Sequence, residues 1–406
     1  MKVTFASLAS GCVLFAVAVV PSLARAFGAT SMAAGAFLVA VLFVFLFAAL
    51  CALHRLRQSL GNLALYATLT LAVVFFNGAF SFSIHPTFNV DRFLQTYAFL
   101  IIYLSGALSL ALLAQSLSRR DSDIAVRFSF YALLLTGVAA ILGFRPFFPR
   151  SISVVFFSEN SHYALSFLPL LLYMTVRSST KRKWIFPFIG LSMALLLQNL
   201  TLLVGAIGIA IIAMRFRLSV ILGLIAMPIL LVAINFNDLS YYSSRVDLSR
   251  ENTNLSALAY MDGWQRAYLN LKDYFGLGVG FEQLGFVGTE GDVVNQLAAQ
   301  NAEELNLFDG SCVAAKLISE FGILALGALV VYLRYLAKHV GWLREVSMNG
   351  GKAADPRRVF FLGCFTMFFI DFFLRGTGYF SSSGFLFIAS LAWITLDHPG
   401  KYKLQE

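Results

Sequence analysis

Twelve predominantly apolar stretches, separated by short polar interruptions, run along the chain near residues 5–24, 28–53, 60–82, 93–117, 126–144, 162–177, 184–198, 200–214, 218–236, 312–335, 359–374 and 383–396. A bilayer core of roughly 30 Å takes about 20 apolar residues per helix, and fewer where a helix end lies inside the bundle. The pattern predicts an all-α, polytopic membrane helical bundle of about 12 transmembrane helices. The seventh, eighth and twelfth stretches are short, and the pair around Gln198-Asn199 reads as a tight hairpin or as one broken element. The longest interval between apolar stretches, residues 237–311, divides the chain into helices 1–9 over 1–236, a loop subdomain, and helices 10–12 with a tail over 312–406. Inside that loop, residues 256–275 place apolar positions at helical spacing and read as an amphipathic helix that ends at Gly276-Leu277-Gly278-Val279-Gly280. A second interval, 145–161, contains Pro146 and Pro149, which stop a helix, and then an apolar run suited to dipping back into the membrane edge.

Composition turns this pattern into an exclusion. With 59% hydrophobic and 13% charged residues and a mean hydropathy of +0.78, the chain does not describe soluble domains. The four cysteines lie in apolar stretches without CxxC spacing or companion histidines, which argues against a disulfide framework or a structural zinc site. The net charge of +9 is a topology signal before it is a nucleic-acid signal, so no nucleic-acid partner is expected. With a cytoplasmic amino terminus, 20 of the 30 basic residues fall on inner segments, which predicts both termini inside and the 237–311 loop outside. Lys2, the apolar run and Ala24-Arg25-Ala26 also fit a cleavable signal peptide, which would leave eleven spans in the same orientation.

Against this charge rule, six arginines crowd three outer segments: Arg145 and Arg150; Arg245, Arg250 and Arg266; and Arg375. A guanidinium keeps its charge and holds phosphate oxygens through two parallel donors, so the cluster suits a lipid pyrophosphate. The bland alternative is pairing with the loop's own acids, since 237–311 holds eleven acids against four bases. Glu159 and His162 stand within one turn at the start of the sixth span, as a carboxylate–imidazole pair able to take a proton or as a helix cap with Ser158 or Ser161. Lys316 with Glu320, and Asp371 with Arg375, are four apart on helix faces and form ion pairs or line a polar site. Asp121-Ser122-Asp123 lacks a strand–helix domain to make it a nucleotide-sugar motif, and the glycine run lacks a βαβ unit to make it a dinucleotide fingerprint.

Several of these blocks together resemble the superfamily of Wzy-type O-antigen polymerases and O-antigen ligases. The likeness rests on Phe156-Phe157-Ser158-Glu159-Asn160-Ser161-His162-Tyr163-Ala164, on Ser244-Arg245 to Arg250, and on Trp264-Gln265-Arg266-Ala267 followed by Gly276 to Phe281. It also rests on Lys316-Leu317-Ile318-Ser319-Glu320-Phe321-Gly322, and it covers roughly 140–385. The resemblance implies a GT-C-like, inverting glycosyltransferase of the bacterial inner membrane that uses undecaprenyl-pyrophosphate-linked oligosaccharide and needs neither metal nor other cofactor. It implies a periplasm-facing site and, as pathway partners, a chain-length regulator and a flippase. In such enzymes arginines hold the donor pyrophosphate, which assigns that role here to Arg145, Arg150, Arg245, Arg250, Arg266 and Arg375, with Trp264 and Tyr379 to stack on sugar rings. The ligases carry a histidine near the end of the long loop, whereas 237–311 here has none, which favours polymerase over ligase. The base is left open among Glu159, His162 and Asp309. A transporter or flippase of lipid-linked oligosaccharide is the rival reading; the two halves of the chain share no visible repeat.

Overall fold

The computed structural model describes residues 4–29, 31–52, 61–148, 153–179, 182–213, 239–249, 252–302 and 304–396. The expected ninth span and two of the expected pyrophosphate ligands, Arg150 and Arg250, lie outside them. Among the described residues the chain is helical throughout, with no strand and only two isolated bridges, Val154 with Phe157 and Leu284 with Val287. The helices are α1 (Phe5–Leu23), α2 (Met32–Ala52), α3 (Gly61–Ile84), α4 (Val90–Ser116), α5 (Arg119–Ile141), α6 (Asn160–Arg177), α7 (Ile185–Leu196) and α8 (Leu200–Ala213). After the undescribed segment follow α9 (Leu239–Val246), α10 (Leu255–Asp273), α11 (Asp292–Ala298), α12 (Val313–Phe321), α13 (Ile323–Met348), α14 (Pro356–Phe373) and α15 (Ser382–Leu396).

Among the described residues, six helices are long and apolar enough to cross a membrane: α1, with the 3-10 turn that extends it to Phe27, and α2, α3, α4, α5 and α13. Phe45, Phe76, Leu94, Leu135 and Val330 stand exposed on these helices, an outward apolar belt that only a hydrocarbon environment accommodates. This is a membrane protein, and its bilayer-facing and bundle-facing surfaces are distinct. Because lipid tails are as apolar as leucine, the helices associate by close packing and polar contacts, not by a hydrophobic difference. Small residues provide it: a Cβ on Gly106 of α4 would meet Ala40 Cα of α2 at 2.6 Å, and Ser129 of α5 donates to the Gly11 carbonyl of α1 at 3.0 Å. At the centre runs α6, buried along its whole length from His162 to Arg177 and flanked by α14, α8 and α5. The Gln198-Asn199 ambiguity resolves as a hairpin: Gln198 adopts φ 48° between α7 and α8, and Asn199 donates to the Asn160 carbonyl at 2.6 Å.

The expected tenth span, 312–335, is not one helix. It breaks at Gly322 and then continues to Met348, well past the expected end. Gly322 holds φ +59° and ψ −128°, a region closed to side-chain-bearing residues. A Cβ there would land on the Gly276 carbonyl oxygen, which accepts instead from Ile323 N at 2.7 Å. Val279 and Gly280 donate to the Ser319 and Glu320 carbonyls at 2.9 and 3.0 Å. The glycine run at 276–280 is therefore a backbone dock that fastens the long loop to the broken helix. Amphipathic α10 lies beside α12, and Tyr260 of α10 donates to the Phe373 carbonyl at the end of α14 at 2.9 Å.

Candidate functional site

Where α6 begins, three segments meet. Arg375, just past α14, sets its Nη2 2.9 Å from Glu159 Oε2, and Ser161 Oγ donates to the same oxygen at 3.1 Å. His162, buried, places Nε2 3.9 Å from that oxygen and Nδ1 3.2 Å from Ser158 Oγ. Ser158 is itself fixed by Ser22 of α1, whose Oγ accepts from Ser158 N at 2.9 Å. The helix-cap reading is not what forms: Glu159 occupies the cap position of α6 without a side-chain cap bond. Burial alone would raise the Glu159 carboxyl, but His162, Arg375 and the hydrogen bonds from Arg375 and Ser161 outweigh it and hold the carboxyl at about 2. Arg245 stacks on Tyr241 with its guanidinium carbon 4.4 Å from the ring centre, and both Arg245 and Arg375 act electrostatically on that tyrosine. Arg25 acts on His162 in the same way. Behind His162 a crevice of about 10 Å³, about the room one water needs, is lined by Ser22, Ser166, Thr377 and the Ser381-Ser382-Ser383 run.

The pairing expected within α14, Asp371 with Arg375, does not form. Asp371 accepts from Ser383 Oγ and from Thr377 N at 3.1 Å, because the chain leaves the helix after Phe373 and turns Arg375 toward Glu159. Lys316 and Glu320, the other expected pair, belong to a larger buried network. Lys316 Nζ lies 2.8 Å from Glu282, 3.8 Å from Glu320 and 2.7 Å from the Phe308 carbonyl, while Arg92 of α4 reaches Glu282 at 2.6 Å. Burial alone would raise the Glu282 carboxyl, yet Lys316 and Arg92 bring it below its usual range. Tyr379 closes the network: its hydroxyl donates to Glu320 at 2.7 Å, its ring stacks on Phe281 at 5.7 Å, and Lys316 Nζ sits 4.7 Å from its centre. Tyr379 is thus engaged by protein groups. Exposed Asp309 adjoins Lys316 and Gly378, and no contact links it to Glu159 or His162.

Arg266 is held elsewhere. On α10 it lies 2.9 Å from Asp262 and 3.7 Å from Glu290, which is the acid-pairing alternative raised by the loop's composition. Burial raises the Asp262 carboxyl in spite of Arg266. Half-buried Trp264 meets Tyr260 edge-on at 6.4 Å. The Nε of Arg145, near the end of α5, is buried without a partner. Sequence reasoning singled out Glu159, His162, Arg245 and Arg375, which the structure brings together. It named Ser158 only as a cap and missed Ser22, Arg92 and Glu282; of these three, only Arg92, a basic residue expected on an outer segment, carried a signal. At the opposite end of the bundle Asp121 accepts from Thr4 and Ser118 and Asp123 pairs with Arg127 and Arg177, so both acids of that Asp-Ser-Asp run have structural partners. No protein-family model, curated protein or solved structure matches this chain.

Proposed function

We propose that this chain is an inverting membrane glycosyltransferase, a polymerase of lipid-linked oligosaccharide repeat units. In this reading it is a twelve-span, GT-C-like protein of the bacterial inner membrane, with both termini cytoplasmic and the Glu159 site facing the periplasm. The donor is a glycan on undecaprenyl pyrophosphate. The acceptor's hydroxyl oxygen bonds to the anomeric carbon, the carbon–oxygen bond to pyrophosphate breaks, and the hydroxyl proton passes to the Glu159–His162 pair. Charge builds on the leaving pyrophosphate, where preorganised guanidinium groups are worth most. Arg375 and Arg245 fill that role, and Arg145, whose Nε is buried without a partner, is the third candidate. Arg266, held by two carboxylates, is the least suited of the arginines to an anion.

The observation that carries the reading is the joining of Arg375 to Glu159 and His162 at the start of α6, two of which, Glu159 and His162, also carry the resemblance to the polymerases. The test is purified protein in nanodiscs given a synthetic polyprenyl-pyrophosphate oligosaccharide. A ladder of lengthened glycolipids should form with the wild type and fall at least about 100-fold with Arg375→Ala or Glu159→Ala. Transfer only onto lipid A-core would mark a ligase. Movement of the intact glycolipid across the bilayer without new glycosidic bonds would overturn the enzyme reading in favour of a transporter.

A further inference from the structure

We propose that the cleft between α10 and the 284–290 turn of the outer loop is a saccharide-binding subsite, separate from the Glu159 cluster. The cleft holds about 120 Å³, less than the about 300–1,000 Å³ of sites that enclose a whole ligand, so it takes part of a sugar and leaves the rest in solvent. Arg266 and Asn270, one turn apart on α10 and both more than nine-tenths buried, form its inner wall. Asn270 is held in one orientation, because its Oδ1 accepts from Thr289 N at 2.8 Å. Its Nδ2 donor is left without a partner, and so is Oδ1 of neighbouring Asp262. Unpaired buried donors and acceptors each cost about 1–3 kcal/mol, so they persist where something else satisfies them.

The charge of the cleft selects the ligand. The Arg266 guanidinium is already engaged by Asp262 behind it and by Glu290 at the rim, so no free positive charge calls for a phosphate and a neutral molecule is favoured. Planar amide, carboxylate and guanidinium groups suit the paired hydroxyls of a polyol. Phe286, more than one-third exposed at the rim and held by Phe308 at 5.1 Å, offers an apolar face for the C–H side of a sugar ring. The turn is shaped for the purpose at Gly288, φ +128°, where a Cβ would stand 2.9 Å from the Asn270 amide oxygen. A polyhydroxylated ligand follows from the cleft alone; that it is a sugar of the transferred glycan rests on the glycosyltransferase function proposed above.

The test uses the full chain in nanodiscs, titrated with a panel of neutral monosaccharides and their short oligomers, with inorganic phosphate as the anionic control, and followed by saturation-transfer NMR and calorimetry. At least one neutral saccharide should bind, with Kd raised about tenfold or more by Asn270→Ala and by Glu290→Ala, and phosphate should not compete. Glu290 is largely exposed, so its variant keeps the fold if Asn270→Ala does not; unchanged thermal unfolding verifies this. Binding that is absent across the panel, insensitive to both variants, or displaced by phosphate overturns the subsite. Saccharide binding without glycan transfer leaves the subsite standing and removes the enzyme reading, whereas transfer without variant-sensitive binding does the reverse.

Discussion

Glu159 is the residue on which the cluster at the start of α6 turns, because one of its oxygens serves Arg375 and Ser161 and adjoins His162. Its carboxyl lies at about 2 against an ordinary 4.5. A depressed carboxyl contributes stability that is complete above its unfolded value and is lost as pH falls through its folded value. The difference in unfolding temperature between wild type and Glu159→Gln should therefore be constant above about pH 5 and shrink steadily as pH falls toward 2. Thermal scans of the two proteins across that range measure it, and a difference that does not change with pH would dissociate Glu159 from Arg375. The side chain is one-third exposed, so solvent screening keeps the effect modest.

Among the elements, the break at Gly322 joins loop to bundle most directly. Gly322→Ala should destabilise the protein by about 1–3 kcal/mol, since the new Cβ both strains the backbone and strikes the Gly276 carbonyl. Gly341→Ala, within the same α13 but with nothing within 4 Å of the new Cβ, should be neutral or stabilising by up to about 1 kcal/mol. Denaturation of both variants in detergent checks the contrast. Apolar periodicity alone made most helices legible: α1, α3 and α8 lie within two residues of the stretches expected at 5–24, 60–82 and 200–214. It ran across Gly322 because a single glycine within apolar residues leaves hydropathy unchanged, and only the docking of 276–280 reveals the break. For the site, Glu159 and His162 were legible because a carboxylate and an imidazole one turn apart share a helix end. Arg375 was legible as one of the clustered arginines, but its pairing with Asp371 by helical spacing fails once the helix stops at Phe373. Glu282 and Arg92, far apart in sequence, could be paired only in three dimensions.

For the molecule as a whole, the long loop, the start of α6 and the 374–381 segment gather at one end of the bundle, and the Arg177, Asp355 and Arg357 contacts at the other. If these ends lie on opposite sides of the membrane, a membrane-impermeant thiol reagent should label Glu290→Cys from outside intact cells and Lys352→Cys only after permeabilisation. Cys12 and Cys51, both exposed, are first replaced by serine. Labelling of both positions from one side would overturn the twelve-span arrangement. The central helix α6 carries a further consequence for how the protein is made. It holds His162, Pro169 and Arg177, is not among the six helices apolar enough to cross a bilayer by composition, and is nonetheless enclosed on every side. Such a segment gains little by partitioning into lipid alone. The walls of α6 come from both sides of it in the chain, α5 before and α8, α14 and α15 after, so the last of them is made last and the chain ends by closing over its own middle.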